Sequence, residues 1–354
     1  MKVSVIIPVY NAQNSVSRAI ESVLLQSHSE FELILVDDGS KDESLRVLYE
    51  YEEKYPCIKV FTQENAGPGA ARNNGIAAAT GDYVFFLDAD DFLPPDALKH
   101  LVSVAHTYLY DVIKGIYYTK RNNKETLIKV PWSEGIVSRT GSEAERKRYH
   151  QIKTSSSFGY LWGTLYRKEF LKNSKVSLEE ISLRFMEDTI FNLELFTCEP
   201  MYYAILEPVY VYVIQENSLS SRKDVDFFEQ VRLVVEEYYE FLKRTNTYGF
   251  NLDLLVPLMA RCFCWACVSI LTNQKISFGM LRSKIKVFTE SIAIQKILQE
   301  KALHRYLFSV ESKAQAIVFY VFCLLLRWKC YGLIAFLFIC LEKPMNLYIK
   351  STLK

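Results

Sequence analysis

Net charge is almost absent from this sequence. Its 42 Lys+Arg residues stand against 41 Asp+Glu, a formal +1, so no global basic field points to nucleic acid as a partner. Histidine is scarce, and His28, His100, His106, His150 and His304 form no metal-ligand spacing. The eight cysteines outline no disulfide framework across 354 residues, and several sit inside apolar runs. The start does not read as a secretory leader, because the apolar run Val3–Ile7 stops at Pro8, well short of an h-region. A reducing cytosol with buried free thiols is the expectation. Apolar residues are not lacking. At 50% hydrophobic and 23% charged, the chain is neither disordered nor fibrous, and its length suits two or three domains.

The first hundred residues alternate strand and helix patterns. Val3–Ile7, Phe31–Val36, Ile58–Phe61 and Tyr83–Leu87 are short continuous apolar runs, the mark of strands buried on both faces. Between them Asn14–Gln26, Glu43–Lys54 and Pro68–Ala79 read as helices, and Pro94-Pro95 opens another. Ser40 is placed to cap the second helix. Repeated strand–helix units of this length imply right-handed crossovers, hence an α/β fold with a doubly wound, mainly parallel sheet and helices on both faces. Residues 111–220 are mixed: a strand at Val112–Tyr117, a polar loop at Lys120–Glu125, then the stretches Phe158–Phe170 and Phe185–Phe196. From Asp224 the pattern is helical, with Phe227–Leu242, Leu252–Leu271, Leu281–Leu298 and Ala314–Leu341.

Chemistry in such sheets collects at the carboxyl ends of the strands. Asp37/Asp38 and Asp88/Asp90/Asp91 both follow buried strands, so they are expected to converge on one crevice. Three carboxylates in four residues repel one another unless a cation sits there; a solvated turn of capping aspartates is the alternative. Gly67-Pro68-Gly69 and Arg72 offer a helix N-terminus and a fork for phosphate or aspartate, although Arg72 stands where a dinucleotide fingerprint needs its third glycine. Glu187-Asp188 is an acidic pair in an apolar stretch, where burial raises proton affinity and suits a general base; spacing alone favours an exposed helix edge or a cap. Cys262, Cys264 and Cys267 lack a fourth ligand and a nearby histidine, so buried thiols are expected rather than zinc.

In order and approximate spacing, Pro8-Val9-Tyr10-Asn11, Val36-Asp37-Asp38-Gly39-Ser40, Gly67–Asn73, Asp88-Ala89-Asp90-Asp91 and Glu187-Asp188 resemble the motifs of family 2 glycosyltransferases. The resemblance covers residues 1–220, and Trp162-Gly163-Thr164-Leu165-Tyr166-Arg167 resembles the segment preceding the base in bacterial members. It implies a GT-A fold: 1–110 as the nucleotide-sugar-binding half, 111–222 as the acceptor and base half, and 223–354 as a helical C-terminal region. It further implies that Pro8, Val9, Tyr10, Asp37, Asp38, Arg72, Asp88, Ala89 and Asp90 bind the donor. Asp90 and Asp91 would hold Mn²⁺ or Mg²⁺, Asp188 would be the catalytic base, and Trp162 and Glu187 would lie on the acceptor side. The implied activity is inverting transfer from a nucleotide-diphosphate sugar, UDP-linked by expectation, to a saccharide or lipid-linked acceptor. The one Arg-Trp pair, Arg327-Trp328, lacks the Gln of processive synthases, so transfer of one sugar or a few is expected. A sugar-phosphate nucleotidyltransferase would need a basic Gly-rich loop after the first strand, where Val9-Tyr10-Asn11-Ala12 stands; a non-catalytic scaffold on the same fold is the other alternative.

The charge that is missing overall is unevenly placed. From Lys301 onward eight basic residues stand against two acidic ones, a tail of +6 on a body of −5. Ala316–Leu326 and Tyr331–Leu341 are each too short to cross a bilayer, and joining them would bury Arg327 and Lys329. The expectation is helices lying at the inner face of the cell membrane; a packed bundle or a homodimer contact is the alternative.

Overall fold

The computed structural model describes residues 1–122, 124–174, 176–178, 186–214, 226–273, 276–308 and 313–340. The chain divides into two compact units. Met1–Ile152, Gly159–Ser182 and Glu187–Ser218 form the first, and Lys153–Phe158, Leu183–Met186 and Leu219–Lys354 the second.

Among the described residues the first unit is built on one nine-stranded sheet. β1 (Val3–Val9), β2 (Phe31–Asp37), β3 (Ile58–Thr62) and β4 (Tyr83–Phe86) are the expected apolar runs, and they lie parallel in the order β3-β2-β1-β4. α1 (Val16–Leu24), α2 (Ser44–Lys54), α3 (Pro68–Ala78) and α4 (Ala97–Thr107) connect and flank them. Val16, Ala19, Ile20 and Val23 of α1 are buried, as their helical spacing requires. α3 lies very close to the sheet: a Cβ on Gly75 would stand 2.3 Å from Cγ2 of Ile6.

The rest of the sheet changes direction. β5 (Val112–Arg121), β6 (Lys124–Leu127), β7 (Gly135–Val137), β8 (Thr164–Arg167) and β9 (Tyr202–Val213) complete it. β8 runs antiparallel between β4 and β5, whereas β9 is parallel to β5. α5 (Glu143–Thr154), α6 (Lys168–Ser174) and α7 (Glu187–Thr197) fill this half. Three local expectations are corrected. Lys120–Glu125 is the end of a hairpin, with Lys120 opposite Glu125, rather than a loop. Ser40 does not cap α2; its hydroxyl accepts from the Asn11 N–H at 3.0 Å, and Asp42 takes the Ser44 N–H at 3.0 Å. Pro94-Pro95 precede α4, which begins at Ala97 after Asp96 turns the chain at φ 60°.

In the second unit α8 (Phe227–Arg244), α9 (Leu252–Asn273), α10 (Phe278–Glu290), α11 (Ile292–Leu298), α12 (Leu303–Phe308), α13 (Lys313–Arg327) and α14 (Tyr331–Cys340) are described. Leu252–Leu271 is long and apolar enough to cross a membrane, but 83% of it is buried inside the unit. Cys262, Cys264 and Cys267 lie buried on α9, and burial pushes the Cys262 thiol up to about 12. The expected helix 281–298 is broken by Ser291, whose hydroxyl accepts the Ile294 N–H of α11. α13 ends at Arg327, whose guanidinium donates to the carbonyls of Leu298 and Glu300, and Lys329 then turns the chain at φ 58°, so α13 and α14 are separate helices. Leu341 and the residues after it lie outside the described ones.

One buried carboxylate ties the parallel strands together. Glu32 of β2 accepts from the Ser4 hydroxyl and the Thr80 N–H at 2.6 Å, the Thr80 hydroxyl at 2.8 Å and Lys2 Nζ at 2.9 Å. Burial alone would raise its proton affinity, but these donors outweigh it and lower the pKa from 4.5 to about 2. A depressed folded-state value stabilises above the unfolded pKa and is lost as pH falls through the folded one. Glu32→Ala should cost about 2–4 kcal/mol at neutral pH by denaturant titration. The wild-type advantage should fade as pH falls from 4.5 towards about 2.

Candidate active site

The carboxyl ends of β1 and β2 are level, with Val9 opposite Asp37. Asp37 is 2% exposed; its Oδ2 accepts the Ser40 N–H at 3.1 Å, while its buried Oδ1 has no partner among the described residues. A buried acceptor left unpaired costs free energy, so this oxygen awaits an N–H or O–H donor. Asp38 has another task. It accepts from Gln63 Nε2 at 2.7 Å, the Ala66 N–H at 2.8 Å and the Gly67 N–H at 2.9 Å, fastening the loop that enters α3.

That fastening orients Arg72, about one turn into α3 on its buried face. Its guanidinium donates to Asp88 Oδ1 at 2.9 Å and to Glu187 Oε1 at 3.4 Å, and its buried Nε has no partner among the described residues. Burial disfavours the cation, but Asp88 and Glu187 overcome this and raise its pKa. After β4, Asp88, Asp90 and Asp91 diverge in use. Asp91 is buried and both of its oxygens are taken, by the Tyr210 hydroxyl and the Val213 N–H, each at 2.7 Å. The Tyr210 oxygen in turn accepts the Asp88 N–H at 3.1 Å, so β9 braces the aspartate turn. Burial and then the Asp88 charge push Asp90 up to about 6.

Glu187 and Asp188 occupy the first turn of α7, where the helix dipole favours negative charge. Asp188 is half-buried; its Oδ1 accepts the Thr189 N–H at 2.7 Å. Burial and the neighbouring Glu187 raise it to about 7, against the pull of Arg72. Lys114 of β5 is buried and donates to Thr164 Oγ1 at 3.1 Å and the Tyr160 carbonyl at 3.4 Å. Burial lowers it to about 7, with Asp188 acting the other way. Asp37, Arg72, Asp88, Asp90, Glu187 and Asp188 thus all belong to the first unit, in the segments the motifs indicate.

Other site residues from the sequence are placed differently. Val9 and Ala89 are buried in the core, Pro8 is half-buried, and Tyr10 is exposed. Trp162, expected toward the acceptor, is buried in an aromatic stack: Tyr160 lies 4.5 Å away at 15° and Tyr210 4.6 Å away at 12°. It supports the tyrosine that braces the aspartate turn. Lys114 and Tyr210 escaped the sequence reading. A lone lysine in the apolar run Val112–Tyr117 was the available signal for the first; nothing marked Tyr210.

A parallel half followed by a mixed half, with an aspartate turn after β4 and an acidic helix start, matches a GT-A glycosyltransferase fold. Residues 4–174, just under half of the chain, match glycosyl transferase family 2. It is 32% identical over 218 residues to the uncharacterized glycosyltransferase EpsJ of Bacillus subtilis, covering 62% of each chain. To the minor teichoic acid biosynthesis protein GgaA of the same organism it is 33% identical over 266 residues, 72% of this chain and 54% of GgaA. The chain therefore spans less than two thirds of either relative. In fold it is similar to S. aureus TarS 1–349 crystallised with UDP-GlcNAc, with a TM-score of 0.70, 22% identity, and coverage of 94% of this chain and 88% of that one.

Tyr210→Phe removes the hydroxyl that joins Asp91 to the Asp88 N–H and keeps the ring stack. It should lower stability by about 1–3 kcal/mol, the range for leaving buried polar groups unpaired. Thermal unfolding checks this, and Tyr210→Ala should cost more because it also opens the stack.

Proposed function

We propose that the protein transfers a sugar, with inversion, from a UDP-linked donor to a hydroxyl of a saccharide or lipid-linked acceptor during assembly of a bacterial surface polysaccharide or glycolipid. The observation that carries this is Asp188, a half-buried carboxylate raised to about 7 and facing the charges around Arg72. A base that is about half deprotonated near neutrality is suited to taking a proton from an alcohol. The acceptor oxygen attacks the anomeric carbon as its proton passes to Asp188. The bond from that carbon to the diphosphate breaks on the opposite face, and the nucleoside diphosphate leaves. Asp37 Oδ1, buried and without a partner among the described residues, supplies an acceptor for an N–H or O–H of the nucleotide. The relationship to a teichoic acid protein and the fold shared with a UDP-GlcNAc-bound enzyme support the same setting.

Asp88 and Asp90 fit a divalent cation shared with a diphosphate better than a cage of protein ligands. Asp91 has both oxygens taken, and the proton affinity of Asp90 is raised by burial and by Asp88, a strain that a cation relieves. When bound, Mn²⁺ or Mg²⁺ neutralises charge growing on the leaving diphosphate. Arg72 holds Asp88 in place.

Thermal stabilisation by UDP, GDP and dTDP, each with Mn²⁺ and with EDTA, tests the donor site. A shift with UDP that EDTA removes is expected; no shift with any nucleotide would favour a non-catalytic scaffold. Asp188→Asn should keep the UDP shift and lose transfer by about 10²–10⁴-fold, the usual span for a general base. A base works deprotonated, so wild-type transfer should climb with pH through about 7 and then level off. A flat profile across that range would remove Asp188 from the role.

A further inference from the structure

The outer face of α13 and α14 is left over by the packing of the second unit. Inward, Phe322 stacks on Phe338 at 4.6 Å, and both meet Phe263 of α9, at 6.3 Å and 6.0 Å. That inner seam buries Ala316, Phe319, Phe322, Cys323 and Leu326 of α13 and Ile334, Ala335 and Phe338 of α14. Outward, Ile317, Val321 and Trp328 recur at the four- and seven-residue spacing of one helical stripe, and they are 53%, 44% and 66% exposed. Leu333 and Phe336 of α14 add 49% and 57% exposure. So many large apolar side chains exposed on two short helices are unusual on a surface that meets only water.

Charge decides what covers it. Among the described residues from Lys301 onward, Lys301, Arg305, Lys313, Arg327 and Lys329 are basic and none is acidic. Lys313 and Lys329 flank the stripe at the two ends of α13, and Trp328 stands beside Lys329. Two copies of such a face would oppose cation to cation, which disfavours a self-contact. The sequence beyond it adds Lys343, Lys350 and Lys354 against Glu342, so it carries the same sign. Exposed aliphatic and aromatic side chains with cations in excess, eight basic residues against Glu311 and Glu342 from Lys301 onward, match the interfacial zone of an anionic bilayer.

We propose that the α13–α14 face docks this protein on an anionic lipid bilayer, with Trp328 and Phe336 entering the headgroup boundary and Lys313 and Lys329 meeting lipid charge. This stands independently of the glycosyl-transfer reading. The test is flotation of the full chain with phosphatidylcholine vesicles, with and without phosphatidylglycerol. Flotation is expected only with phosphatidylglycerol, weakened by high salt, and accompanied by a blue shift in tryptophan emission. Trp328→Ser with Phe336→Ser should reduce partitioning by at least about tenfold. Phe250→Ser, at a 75% exposed site outside the stripe, should leave it unchanged. Lys329→Glu should weaken it without removing any apolar surface. No flotation with either lipid overturns the proposal, as does equal flotation of the double variant. Self-association of the wild type that the double variant abolishes would show a second copy on this face and also overturn it.

Discussion

A single buried guanidinium organises the charges of the first unit. Arg72 reaches from α3 to Asp88 at the end of β4 and to Glu187 at the start of α7, joining a strand end and a helix start 99 residues apart in sequence. Crowded carboxylates are tolerable there because a cation that cannot lose its proton sits among them. Its field also sets a limit on Asp188. Burial and Glu187 raise that carboxyl, and Arg72 draws it back to about 7, a value at which it can both accept and release a proton in neutral solution.

The aspartate turn divides work that looks uniform in sequence. Asp91 and Asp38 face inward and are consumed by hydrogen bonds to β9 and to the loop before α3. Asp37 keeps one oxygen without a partner among the described residues. Neighbouring carboxylates in a short motif therefore serve opposite ends: one holds the loop still, and the next uses the stillness. The stack of Tyr160, Trp162 and Tyr210 extends the same support into β8 and β9, which explains a buried tryptophan so near an acidic turn.

The parallel half was legible because each strand is a continuous apolar run, a pattern that only a sheet covered on both faces needs. The family motifs located Arg72, Asp88, Asp90 and Asp188. Local hydrogen bonding was not legible: Ser40 and Asp42 have equal claims as caps from sequence, and the choice depends on Asn11, which arrives from another loop. The β5–β6 hairpin was read as a loop because every residue of β6 is exposed and shows no apolar alternation. The use of Asp91 was hidden for a different reason. Its partners, Tyr210 and Val213, lie more than a hundred residues away, and nothing in a local pattern points to them.

The close seating of α3 on β1 has a consequence for how changes in this chain are read. Gly75 lies one turn beyond Arg72, and Ile6 fills the space where any side chain at 75 would go. Substituting it must displace either Ile6 or α3, the helix that carries Arg72. Activity lost at residue 75 would then look like a chemical defect while its origin was steric. A silent position in the hydrophobic layer thus bears on the seat of the buried guanidinium.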